Sequence, residues 1–68
     1  MGMLSNQYVV FVDKFSNDSI DVATREIADK YCCFKPEKDG VIYYIFSHKV
    51  WFDKFNAELI EHTEFGYH

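Results

Sequence analysis

Pro36-Glu37-Lys38-Asp39-Gly40-Val41-Ile42-Tyr43-Tyr44-Ile45-Phe46 is the stretch that decides the fold. Asp39-Gly40 supplies the positive-φ step of a tight turn. Every residue from Val41 to Phe46 is β-branched or aromatic, which suits a pleated, half-buried surface. A shorter strand over residues 32–35 leads into the turn, so the whole reads as a β-hairpin.

Working outward, residues 7–13 (Gln-Tyr-Val-Val-Phe-Val-Asp) form a second strong strand pattern. Ser16-Asn17-Asp18-Ser19 marks a loop and a helix start, with Asp18 as N-cap and Asp21 in the first turn, where the helix dipole favours anions. That helix is predicted to run to about Tyr31. Ile20, Ala23, Ile27 and Tyr31 fall on one stripe, and Asp21–Arg25, Arg25–Asp29 and Glu26–Lys30 are spaced as surface ion pairs on the other side. After the hairpin, Ser47 reads as the N-cap of a second helix extending to about residue 61. Trp51, Phe52, Phe55 and Leu59 make its apolar face, His62 lies at the edge, and Lys54, Glu58 and Glu61 fall opposite. Residues 1–5 and 63–68 read as loose ends, the latter alternatively as a fourth strand.

The order is therefore β-α-β-β-α, with an optional last β. It predicts one small α+β domain over residues 1–68, a two-layer sandwich whose antiparallel sheet carries both helices on one face. Such an order resembles the ferredoxin-like sandwich or a truncated relative.

The composition then raises a difficulty for that sandwich. Seven Phe, five Tyr and one Trp occur among 68 residues, more rings than so small a core accommodates. Both strong strands are apolar on both sides, whereas helices cover only one side of the sheet. If Val10 and Val12 face the core, Phe11 faces outward with Tyr43 or Tyr44 beside it. The candidate partner-binding set is Phe11, Tyr43, Tyr44 and Phe46. It is joined by an acidic rim of Asp53, Glu58, Glu61 and Glu64, because acids near a helix C-terminus oppose the dipole and suit a basic partner surface.

Other functions find less support. The formal charge of −4 and pI near 5.1 oppose non-specific nucleic-acid binding, which needs Lys and Arg on phosphates. Val10-Phe11-Val12-Asp13-Lys14-Phe15 is faintly similar to the first aromatic signature of RNA-recognition motifs. The stretch matching the second, Asp39-Gly40-Val41-Ile42-Tyr43, has an acid where the base belongs and an aliphatic where the first ring belongs. Cys32 and Cys33 are adjacent and close no loop, so both are expected to be free thiols in a reducing compartment. Adjacent strand residues point to opposite faces, which leaves Cys32, Cys33, His48, His62 and His68 without a zinc pattern; no metal or cofactor is expected. No spacing supports a catalytic nucleophile with its base, so no enzyme activity is expected. No basic segment followed by an apolar one opens the chain and no apolar run approaches membrane length, so a cytoplasmic location is expected.

The resulting expectation is a non-enzymatic, acidic protein-binding module that inhibits or modulates a larger protein. Its partner would be another protein, one with a basic, nucleic-acid-binding surface among the candidates. In size and composition, though in no motif, the chain resembles the small inhibitors that phages and mobile elements encode. The alternatives are a homodimer built on the aromatic face and a single-stranded nucleic-acid binder.

Overall fold

The central strand of the sheet is the Val41–Phe46 segment. The computed structural model describes residues 8–67, in the order β1 (Tyr8–Asp13), α1 (Ser19–Tyr31), β2 (Glu37–Lys38), β3 (Val41–Phe46) and α2 (Lys49–Thr63). The sheet order is β1-β3-β2, antiparallel throughout, with Tyr8 opposite Phe46, Asp13 opposite Val41 and Lys38 opposite Val41 on the other side. This is the small α+β sandwich expected from the sequence.

The Asp39-Gly40 turn has φ of 55° and 79°, the left-handed pair that a tight hairpin needs. The strand before it differs from the expected 32–35. Tyr43 N–H donates to Pro36 C=O at 2.8 Å, but Pro36 has no N–H to return, so the ladder lapses there and the regular strand shrinks to Glu37–Lys38. Farther out, Phe34 bridges Ile45, and Cys33 N–H also donates to Ile45 C=O, two residues facing one as in a β-bulge.

Asp18 caps α1 as expected, its carboxylate accepting from Ile20 N–H at 2.9 Å, and the helix ends at Tyr31. None of the three expected ion pairs on α1 forms. Arg25 instead donates to the carbonyls of Asp13 and Ser16, each at 2.8 Å, while Asp29 pairs with Lys35 and Lys30 with Glu58. Carbonyls at the end of β1 need donors, and that need outweighs surface pairs worth only a few tenths of a kcal/mol, roughly 0.2–0.5.

Ser47 is not the cap of α2. Strand pairing continues through Phe46, so the chain needs both Ser47 and His48 to pass from sheet to helix layer. His48 holds the N-cap position in extended backbone, without a side-chain cap bond. A carboxylate there would accept from the free N–H groups of the first turn. His48→Asp is expected to raise stability by about 1 kcal/mol, measured by urea unfolding.

One face of the sheet packs on the helices. Val10, Val12, Tyr44 and Phe46 meet Ile27 and Ala28 of α1 and Phe55 and Leu59 of α2 in a single core. Residues 64–67 form no strand. Glu64 closes α2 in a left-handed conformation, φ 66°, with its N–H on Ile60 C=O at 2.8 Å, and the chain then turns back along the helix. Asn56 grips the returning backbone. Its Nδ2 donates to Tyr67 C=O at 2.8 Å and its Oδ1 accepts from Tyr67 N–H at 2.7 Å, which sets the Tyr67 ring against Phe52 and Phe55. The N-terminal residues 1–5, read as a loose end, lie outside the described residues, as do Gln7 and His68.

Candidate functional site

Among the described residues, no helix packs on the second face of the sheet. Its outward positions follow from the register in three rows: Val9, Ile45 and Phe34; Phe11, Tyr43 and Pro36; Asp13, Val41 and Lys38. The two upper rows are wholly apolar in body. Phe11 is 68% exposed and leans on Tyr43 with ring centroids 6.0 Å apart, and Phe34 is 61% exposed. The turn after β1 adds Phe15, 74% exposed, against Gly40; Asp13 fixes that turn by accepting from Phe15 N–H at 2.9 Å. Phe rings bury about 150–250 Å² each when covered, so three at roughly two-thirds exposure present about 300–500 Å². Val9, Tyr43 and Ile45 add to this, which carries the patch to the upper end of what monomeric proteins show.

Phe11 and Phe15 flank a shallow hollow of about 330 Å³, lined further by Val41, Gly40 and the acids Asp13 and Asp39. An aliphatic stem with a basic head would place its stem on the rings and its charge between the two carboxylates.

Of the residues selected from sequence, Phe11 and Tyr43 come together on this face. Tyr44 and Phe46 do not: they are 3% and 0% exposed and belong to the core. Their expected role in partner contact is corrected, since a side chain with no accessible surface touches no partner. The acids lie elsewhere. Asp53, Glu58, Glu61 and Glu64 belong to α2 or its cap, in the helix layer, and so do not rim the sheet face. Asp53 pairs with Lys49 at 2.8 Å. Glu58 faces α1 rather than solvent. It receives the Lys30 ammonium and, at 2.7 Å, the Tyr31 hydroxyl, which together hold its carboxyl below the usual carboxylate range. Glu61 and Glu64 are exposed.

Val9, Phe15 and Phe34 complete the patch and were missed in sequence. Val9 carried a signal, because it shares strand parity with Phe11 and Asp13. Phe15 and Phe34 lie outside the regular strands and carried none.

A larger groove, about 670 Å³, separates α1 from α2, with Glu26, Lys30, Glu58 and His62 on its walls. Lys30, Tyr31 and Glu58 satisfy one another there, and His62 Nε2 stands 4.0 Å from Glu58. Both cysteines are free; burial pushes the Cys32 thiol upward, away from reactivity. Among the described residues no three His, Cys, Asp or Glu side chains gather as a metal-ligand set, and no helix is long and apolar enough to cross a membrane. Comparison with protein-family models, with curated proteins and with solved structures finds no match for this chain.

Proposed function

We propose that this protein is a non-enzymatic binding module that inhibits or modulates a larger protein through the open face of its sheet. The observation that carries the reading is the apolar patch of Phe11 and Tyr43 on the sheet, with Phe34 and Phe15 beside them, left uncovered among the described residues. Phe11 and Tyr43 start from paired strands, so they lose little backbone freedom on binding, which makes them efficient anchors. The partner surface that fits is apolar with a basic group, taken up between Asp13 and Asp39. Stacking of single-stranded nucleic acid fits less well, because Lys38 is the lone cation of the three rows and Asp13 shares its row.

The test is affinity capture from host lysate with the native chain and with the double variant Phe11→Ala/Tyr43→Ala. Phe11 is exposed and Tyr43 half-buried, so the variant loses a cross-strand aromatic pair but no core side chain, and its stability is expected to fall by about 1 kcal/mol. The co-purifying protein is expected to disappear. A variant with Glu61→Lys and Glu64→Lys, in the other layer, is expected to retain it. Recovery of the same protein by the ring-deleted variant would remove the sheet face from the function.

A further inference from the structure

We propose that two copies of this chain join through the free edge of β1, antiparallel and centred on Val10, into one continuous sheet. This goes beyond the function proposed above, which concerns the face of the sheet and not its edge.

The two edges of the sheet are built differently. The β2 edge is guarded in the ways that discourage strand addition: it is two residues long, interrupted at Pro36, bulged at Cys33-Phe34 and charged at Lys35, Glu37 and Lys38. The β1 edge is six residues long, and from Tyr8 to Val12 it carries no charge and no proline. A long, neutral, regular edge of this kind is a template for another strand.

Among the described residues, the hydrogen-bond pattern shows which groups are free. Tyr43 and Ile45 donate toward β2, and Lys14 N–H donates to Gly40 C=O, so the even-numbered residues of β3 face β1. By alternation Tyr8, Val10 and Val12 pair with β3, and Val9, Phe11 and Asp13 direct their N–H and C=O groups outward. The Asp13 carbonyl is already taken by Arg25 and Ser16. Among the described residues, Val9 and Phe11 remain without partners on that side. They are two apart, so an antiparallel two-fold through Val10 sets Val9 against Phe11 of the second copy and Phe11 against its Val9, each pair exchanging both its N–H···O bonds. A two-fold on Phe11 would instead require the occupied Asp13 carbonyl.

Charge is compatible with this register. Each chain carries −4, but the paired segment is neutral, and the antiparallel arrangement sends the two Asp13 residues to opposite ends. On the open face each Phe11 ring lies beside Val9 of the other copy, which runs the two aromatic patches together. A single six-residue edge covers less than the roughly 800 Å² per partner of a standard interface, so the dimer belongs with weak, concentration-dependent associations.

Sedimentation equilibrium across a wide concentration range, paired with amide hydrogen exchange by NMR, tests this on the full chain. The mass is expected to rise from one copy to two. The Val9 and Phe11 amides are expected to gain protection in step, and added salt to favour the pair by screening like net charges. Val9→Pro removes an outward donor that the monomer does not use, and edge positions tolerate proline when that side faces solvent. It is expected to weaken association at least about tenfold with the circular dichroism unchanged. Val9→Lys is the second variant, which blocks the edge without constraining the backbone. Three results would overturn the proposal. One is a single copy at every concentration with the Val9 and Phe11 amides exchanging freely. Another is a dimer that survives Val9→Pro but is lost in Phe11→Ala/Tyr43→Ala, which means face-to-face pairing. The third is protection of these amides only when a different protein is added, which gives the edge to that partner's strand. Because Val9→Pro keeps the Phe11 and Tyr43 rings, failure of the edge and failure of the face are separable.

Discussion

Phe46→Ala is expected to cost the protein about 3–5 kcal/mol of its stability. Phe46 ends β3 with no accessible surface, its ring 5.1 Å from Phe55 and 5.7 Å from Phe52. It is the point where the sheet meets the start of α2. Removing a buried Phe costs about 3–5 kcal/mol, the lost transfer energy plus the cavity left behind. At roughly 0.05–0.15 kcal/mol per residue, a chain this size has about 3–10 kcal/mol of stability in all. The substitution therefore removes about a third of it at the least, and all of it at the lower end of that range. Thermal unfolding followed by far-UV circular dichroism should show a transition lowered by at least about 12 °C, on the order of 4–8 °C per kcal/mol, or none at all. Phe11→Ala deletes the same ring from the other face of the same sheet and should move the transition by only a few degrees, about 0.5 kcal/mol or less. If both variants behaved alike, the division of the sheet into a buried and an open face would be wrong.

That contrast marks where the sequence stops being informative. The extents of β1, β3 and α1 followed from side-chain type and period: β-branched and aromatic runs gave the two strands, and the Ile20–Tyr31 stripe with its Asp18 cap gave the helix. Both faces of β3 are apolar, so no alternation tells Tyr43 from Tyr44, and a one-residue ambiguity exchanges core for surface. The turn does not resolve it. Lys38 opposite Val41 argues that Tyr43 faces water, while Glu37 opposite Ile42 argues for Tyr44. Only the pairing with β1, where Asp13 shares the parity of Val9 and Phe11 and lies opposite Val41, fixes the outward set.

Glu58 was misplaced for a different reason. A helix packed on a sheet buries one stripe, but α2 also lies beside α1, and this second contact widens the buried arc. Trp51, Glu58 and His62 lie at helical spacing along that flank; Trp51 stacks on Tyr31 with centroids 6.4 Å apart, and Glu58 bonds the Tyr31 hydroxyl. Which helix flanks meet is a property of the assembled sandwich and leaves no mark on the period of one helix. The acidic row thus dissolves into separate fates, and the acids near the aromatic face become Asp13 and Asp39, residues that sequence reading assigned to a strand end and a turn.

The return of the chain after α2 was equally hidden, and it supports the second large effect. Asn56→Ala is expected to destabilise the protein by about 2–3 kcal/mol, although the lost side chain is small and only half-buried. Asn56 contributes almost nothing to the apolar core itself; what it does is bind both polar groups of one peptide residue, Tyr67. Without it the Tyr67 N–H and C=O have two options. If they stay in place unpaired, each partly buried group costs about 1–3 kcal/mol. If the segment lifts away to find water, the Tyr67 ring leaves Phe52 and Phe55, and burial of about 1.5–3 kcal/mol is lost. The first route costs about 2–6 kcal/mol for the two groups together and the second about 1.5–3 kcal/mol, so lifting away is the cheaper route and sets the cost. Asn56→Asp separates the two bonds, since a carboxylate still accepts from Tyr67 N–H but cannot donate to its C=O. It is expected to recover about half of the loss. Urea unfolding of the three proteins, with Tyr67 ring resonances as the local probe, reads both numbers. Gly66 explains why the segment can return so closely: a Cβ there would stand 2.5 Å from Ile60 Cγ1, so the turn back onto α2 passes through a position that only glycine fits without moving the helix side chain.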